Sequence, residues 1–228
     1  MMNLPYDLNK TGRVAAMLLL VYCVAELAFI WAQTRLFAFY DVIESGTLTQ
    51  TELDAAAVSV DGASTVVAVF FIAALMGCFV SGGMWIYRAA ANAQAVIPDD
   101  NRITPGWSVG WFFIPFANLV MPYRSIKQTW NGLRGIGDLS ADIPGWILLW
   151  WLAWLLGNAI STASSRISMD AASIDDFRFV STLDIVSSVV AIIAAILFRK
   201  LILDLTQASA EAEPRASEPA PPISDTNQ

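Results

Sequence analysis

The chain has 228 residues, 56% of them hydrophobic and only 14% charged, and it carries a net charge of −7. Soluble domains run closer to half apolar and a quarter charged, so this excess calls for an apolar solvent. The acidic balance gives no support for nucleic-acid binding. With two cysteines and no histidine, a Cys/His zinc site and any triad that needs an imidazole are excluded.

Four runs are long and apolar enough to cross a bilayer core, which takes roughly 20 residues per helix. They are residues 14–33, 64–86, 146–163 and 180–198. The first follows Lys10 and Arg13 and is too long for a cleaved signal core, so it reads as an uncleaved anchor. The third opens after Pro144-Gly145 with Trp146, Trp150, Trp151 and Trp154, a pattern suited to an interfacial start. Cys23 and Cys78 lie inside apolar runs, where a free Cys acts as a small hydrophobe.

Lys and Arg in the connecting segments set the orientation. With four spans, Lys10, Arg13, Arg88, Arg102, Arg124, Lys127, Arg134, Arg199, Lys200 and Arg215 fall on the same side as both termini, and only Arg35, Arg166 and Arg178 fall opposite. A fifth crossing by the apolar stretch 104–123 would turn this ten-to-three bias into six against seven. Four spans are therefore expected, with both termini cytoplasmic.

The stretch 104–123, TPGWSVGWFFIPFANLVMPY, then has to lie in the interface or dip in against the protein, because lipid-exposed irregular backbone is not tolerated at depth. Pro115 removes an amide donor and breaks any helix there. The spacing predicts a short helix over 107–113, a break at Pro115 and a second piece ending at Pro122. Beyond it, Tyr123, Ile126, Trp130 and Leu133 share one helical face, with Arg124, Lys127, Gln128 and Asn131 on the other. This is an amphipathic interfacial helix, and Arg124 and Lys127 are suited either to anionic head groups or to plain solvation. The acidic connection 34–63 holds a helix-like LTQTELDAAAV and predicts a small cap. The tail 208–228, rich in Ala, Ser, Glu and Pro, predicts disorder. The organisation expected is a cytoplasmic N-terminus over 1–13, a membrane domain over 14–207 and a disordered cytoplasmic tail.

The residue with the most to say about chemistry is Glu26, at position thirteen of the first span and about 4 Å from the bilayer midplane. A carboxylate at that depth costs ~2.5–3.5 kcal/mol or more and marks a candidate functional site. Tyr22 and Gln33 share its face. Asp184 lies in the first turns of the fourth span, and no span carries a Lys or Arg deep enough to pair with either acid. Two such acids imply protonation, a shared cation or a partner's cation. The blander reading is that Glu26 bonds a neighbouring helix and Asp184 sits in the interface.

A second group is Trp85, Arg88 and Asn92, on one face of the extended second helix, with Asn118 beside the Pro115 break. Either Arg88 and Asn92 satisfy carbonyls left without amide partners by Pro115 and Pro122, or they join Trp107 and Trp111 in a lipid-head-group or small-ligand site. Small residues recur every four positions at Ala73, Gly77 and Ser81, at Ala153, Gly157 and Ser161, and at Ser187, Ala191 and Ala195. Such stripes let helices approach closely, within one bundle or against a partner. There is no phosphate loop, no GxSxG, no HExxH and no dinucleotide fingerprint. An enzyme would have to rest on Glu26 and Asp184 alone.

The runs WIYRAAANAQAV at 85–96 and ITPGWSVGWFFIPFANLVMPYRSIKQTW at 103–130 resemble the bacterial membrane family called domain of unknown function 4328. The positions that carry the resemblance are Trp85, Arg88, Asn92, Pro105, Gly106, Trp107, Gly110, Trp111, Pro115, Asn118, Pro122 and Trp130. It is specific over 85–130 and looser out to about 205. It implies a multi-spanning bacterial membrane protein and assigns no activity.

The sequence thus reads as an all-α membrane protein, a four-transmembrane-helix bundle with a Pro-broken re-entrant or interfacial segment between helices 2 and 3. The expected role is that of a non-enzymatic accessory subunit or membrane assembly and interaction protein. The alternative is a small proton- or cation-linked transporter or channel-like protein using Glu26. No cofactor or metal is expected. The expected partners are the bilayer and a larger membrane complex or a homo-oligomer.

Overall fold

The structure, a computed structural model, describes residues 4–99 and 102–217, with side chains to 212. Four long helices carry the chain: α1 (Leu8–Ser45), α2 (Gln50–Val96), α5 (Gly145–Asp170) and α6 (Ile174–Ser217). Between α2 and α5 lie the short α3 (Pro105–Gly110) and the amphipathic α4 (Met121–Leu133), separated by two 3-10 turns, Trp111–Phe113 and Ala117–Leu119. Each expected span lies inside one long helix, and all four are long and apolar enough to cross a membrane. The protein is an all-α membrane protein.

Two expected boundaries move. No cap forms over 34–63: α1 runs on to Ser45, the chain turns at Gly46 (φ 59°), and α2 starts at Gln50. A Thr-x-x-Glu capping box starts α2, with Glu52 Oε2 accepting from the Thr49 N–H (2.9 Å) and hydroxyl (2.7 Å). The α1 extension has partners on α6, because Arg178 bonds Asp41 (2.7 Å) and Glu44 (2.8 Å) and Phe177 stacks on Tyr40. At the other end, α6 continues through 208 to Ser217, where a disordered tail was expected to begin. Ala208, Ser209 and Ala212 are buried, so burial holds that stretch helical despite its composition. Residues 218–228 of the expected tail lie outside the described residues.

The chain divides into two compact units. One comprises 13–83 and 144–202 and is a four-helix bundle built from α1, α2, α5 and α6. Its interior is lined by small residues and tryptophans, among them Ala15, Ala16, Ala25, Trp150, Trp151, Ala194 and Ala195. Trp150 stacks on Phe198 at 5.0 Å. Its outside carries Met17, Val24, Leu27, Val66, Ile72, Met76, Leu149, Leu152 and Ile193. An apolar exterior of this kind belongs in lipid.

The other unit comprises 1–12, 84–143 and 203–228. It gathers the start of α1 and the ends of α2 and α6 with the broken segment and α4. Thr104 caps α3 and Pro105 takes its first turn, where a missing N–H costs nothing. The break falls at Pro115-Phe116. Phe116 has φ 65°, and Ala117 N–H bonds the Pro115 carbonyl at 2.8 Å, closing a strained γ-turn. Pro122 then opens α4, which ends with Gly135 at φ 73° and the Ile136 N–H on the Asn131 carbonyl (3.0 Å). The first piece and the break at Pro115 are as expected, with the last part of the first piece wound as a 3-10 turn; the second piece is corrected, since only Ala117–Leu119 turns there and Pro122 opens α4 where that piece was expected to end.

Candidate functional site

The two intramembrane acids lie in one polar seam of the bundle. Glu26 is only 3% exposed. It accepts hydrogen bonds from the hydroxyls of Tyr22, one turn earlier on α1, and of Ser188 on α6. Asp184, one turn before Ser188, is half-buried. Its Oδ1 accepts from Ser164 of α5 (2.5 Å) and its Oδ2 from Gln33 Nε2 of α1 (3.1 Å). Glu26 and Gln33 are seven residues apart on α1, and Asp184 and Ser188 four apart on α6, so helical periodicity puts each pair on a shared face. Three helices thus meet through two carboxylates, and the donors around them are hydroxyls and one carboxamide. Sequence reasoning identified Glu26, Asp184, Tyr22 and Gln33 but missed Ser164 and Ser188. The available signal was a serine one turn from Asp184 on a span that is otherwise apolar.

The structure does not unite the second expected group. Arg88 and Asn92 face the chain's N-terminal segment, and Trp85 faces α6. The Asn92 carboxamide accepts from the Tyr6 N–H (3.0 Å) and donates to the Tyr6 carbonyl (2.7 Å) and to Ser209 (2.9 Å). Arg88 lies over the Tyr6 ring at 5.5 Å, and the Trp85 indole N–H bonds Thr206 at 3.2 Å. The expectation that Asn92 serves carbonyls left without amide partners by Pro115 and Pro122 is corrected: Asn92 clamps the Tyr6 backbone instead. Nothing in the sequence pairs positions 86 residues apart.

Trp107 and Trp111 stack on each other at 4.6 Å, one turn apart in the broken segment. Asn118 lies in the second 3-10 turn with its Oδ1 buried and unpartnered. The exposed edge of that segment is apolar, with Phe113, Phe116, Leu119 and Val120. Of the interfacial cations, Arg124 is exposed and Lys127 is 3.8 Å from Asp142. Arg102 is buried beside α4, donates to the Gln128 carbonyl (3.4 Å), and is held below the usual arginine range by loss of water.

Two of the small-residue stripes pack on each other. Gly157 of α5 lies against Ser187, Val190 and Ala191 of α6, and Ser187 donates to the Gly157 carbonyl at 3.1 Å. Ala153 and Ala195 are buried, and Ser161 is exposed. The third stripe divides. Gly77 meets Leu18 of α1 and Ser81 back-bonds to the Gly77 carbonyl (2.7 Å), while Ala73 points outward. Among the described residues, no three His, Cys, Asp or Glu side chains gather as metal ligands, and Cys23 and Cys78 are free thiols.

The family model described as "Domain of unknown function (DUF4328)" matches residues 45–207. The chain belongs to this family. No curated protein and no solved structure matches it. The matched region contains Asp184, Ser164, Ser188 and the whole broken segment. Glu26, Gln33, Tyr6 and Ser209 lie outside it, on the first helix, its leader and the last turns of α6.

Proposed function

We propose that this protein is a non-enzymatic accessory subunit or assembly factor of a bacterial inner-membrane complex, with both termini cytoplasmic. The orientation rests on the ten-to-three bias of Lys and Arg. The observation that carries the role is the outer face of α2. Only 11% of its most apolar window is buried within the protein, against 28–33% in the other three long helices. Val66, Val69, Ala73, Met76 and Val80 all point outward there. Their alternating spacing of three and four residues is that of an a/d seam, with β-branched and small side chains that suit helix-to-helix packing in lipid. The buried acids fit the same role, since each is held by donors from within the bundle and ties its helices together.

The test is native purification in mild detergent with mass measurement of intact complexes, repeated for Ala73→Trp. The expected result is a stoichiometric larger assembly that the substitution dissolves while the chain itself stays folded. A wild-type protein recovered only as a monomer would sink the proposal.

A further inference from the structure

The seam of Glu26 and Asp184 is short of positive charge. The points at which α6 anchors the two acids, Ser188 for Glu26 and Asp184 itself, are one turn or about 6 Å apart. Uncompensated charge is costly in an apolar interior, and the nearby cations are engaged elsewhere or face outward. Arg178 is bonded to Asp41 and Glu44, Arg35 lies over Trp31 and Arg166 is exposed. The other titratable groups facing the seam are Tyr22 and Cys23 on α1 and Cys78 on α2, and α5 brings only the Ser164 hydroxyl. None of these supplies a positive charge.

A second, independent observation comes from Gln33. Its side chain is 6% exposed, and its Nε2 is bonded to Asp184 while its Oε1 is buried with no partner. A buried amide oxygen beside a carboxylate calls for a donor or a cation. With its carboxamide turned, Gln33 would bring Oε1 to the two oxygens of Asp184 and the Ser164 hydroxyl, a set suited to a hard cation.

We propose that Asp184, Gln33 and Ser164 form a site for one small monovalent cation, a proton or a sodium ion, with Glu26 as a second carboxylate one turn away. In the proton case, hydronium gives its proton to a carboxylate oxygen of Asp184 and leaves as water. The new O–H donates to Gln33 Oε1, the carboxamide having turned to meet it. In the sodium case the ion takes the same oxygens, the carboxamide having turned likewise. Occupancy would remove one of the seam's two negative charges where α1, α5 and α6 meet and so tighten the bundle.

The test uses the full chain in mild detergent, followed by thermal unfolding and by the infrared band of protonated carboxyl groups, from acid to alkaline pH, in sodium chloride or choline chloride. If sodium is the ligand, sodium chloride raises the melting temperature at alkaline pH and choline chloride does not. If the proton is the ligand, a carboxyl band that Asp184→Asn lacks grows on acidification in either salt. A band suppressed by sodium means that both compete for the same oxygens. Each response should vanish in Asp184→Asn. Gln33→Leu, which leaves the carboxylate in place, should shift the midpoint of the response by about tenfold in ion or proton concentration. The absence of any response, a response that survives Asp184→Asn, or an unmoved midpoint in a folded Gln33→Leu protein would each overturn the proposal.

Discussion

In the four-helix bundle the two buried acids meet other side chains: Glu26 with Tyr22 and Ser188, and Asp184 with Ser164 and Gln33. In the unit built around the Pro-broken segment the side-chain amides chiefly meet backbone. There Asn92 takes both polar groups of Tyr6, Asn131 donates to the carbonyls of Leu139 (3.2 Å) and Ala141 (2.9 Å), and Gln128 accepts from the Ile103 N–H (2.9 Å). The contrast has a simple cause. A regular helix satisfies its own backbone, so the bundle's polar side chains are free to tie helix to helix. Irregular segments expose N–H and C=O groups that buried side chains must answer.

That comparison is easiest to break at Asn92. Asn92→Leu removes three hydrogen bonds at a fully buried position and leaves both Tyr6 groups without their partner. The expected loss is about 3 kcal/mol, read as a lowered unfolding midpoint together with faster hydrogen exchange at the N-terminal segment. Unchanged exchange there would mean that the clamp does not hold the segment.

The bundle side is tested by a pair of substitutions at Gly157. A Cβ there would sit 3.6 Å from Val190, 3.8 Å from the Ala191 nitrogen and 3.9 Å from the Ser187 oxygen, all ordinary contact distances. Gly157→Ala should therefore be tolerated, while Gly157→Leu should force α5 from α6 and cost about 2 kcal/mol. Equal melting temperatures for the two variants would refute the close packing of the stripes.

A smaller change should sharpen the picture of the irregular unit. Phe116 holds a positive φ with its ring 87% exposed, so Phe116→Gly should relieve the turn and stabilise the protein in detergent by about 1 kcal/mol. A fall in stability would show that the ring matters more than the strain.

The smallest effect is expected at Asp138, in the connection to α5. The Ser140 hydroxyl (2.6 Å) and N–H (2.8 Å) hold its carboxyl below the usual carboxylate range. A depressed carboxyl contributes stability above its unfolded value and loses it as pH falls through its folded one. Ser140→Ala removes the hydroxyl and keeps the N–H, so the Asp138 titration followed by NMR should move part of the way back up.

Much of the protein was legible in residue order. The spans, the break at Pro115 and the amphipathic face of α4 follow from apolar run length, the missing proline amide and a period of 3.6 residues, all of which are local properties. Glu26 and Asp184 stood out because an acid in an apolar run is conspicuous. Their partners were harder to see, since Ser164 and Ser188 are unremarkable in sequence and acquire meaning only when α5 and α6 place them against Asp184 and Glu26. Composition misled in two stretches. The acidic stretch after residue 33 and the Ala- and Ser-rich stretch after 207 look like a cap and a tail, yet Arg178 and Phe177 anchor the first and burial of Ala208 and Ser209 holds the second. By itself, then, the sequence determined that this is a four-span helical membrane protein with a proline-broken insert, because bilayer thickness and proline chemistry act residue by residue. The tertiary structure alone decided that Asn92 grips Tyr6, that two small-residue stripes face each other, and that an unpartnered Gln33 oxygen lies beside Asp184. Hydrogen bonds across 86 or 151 residues depend on how helices come together in space, and no local pattern records that.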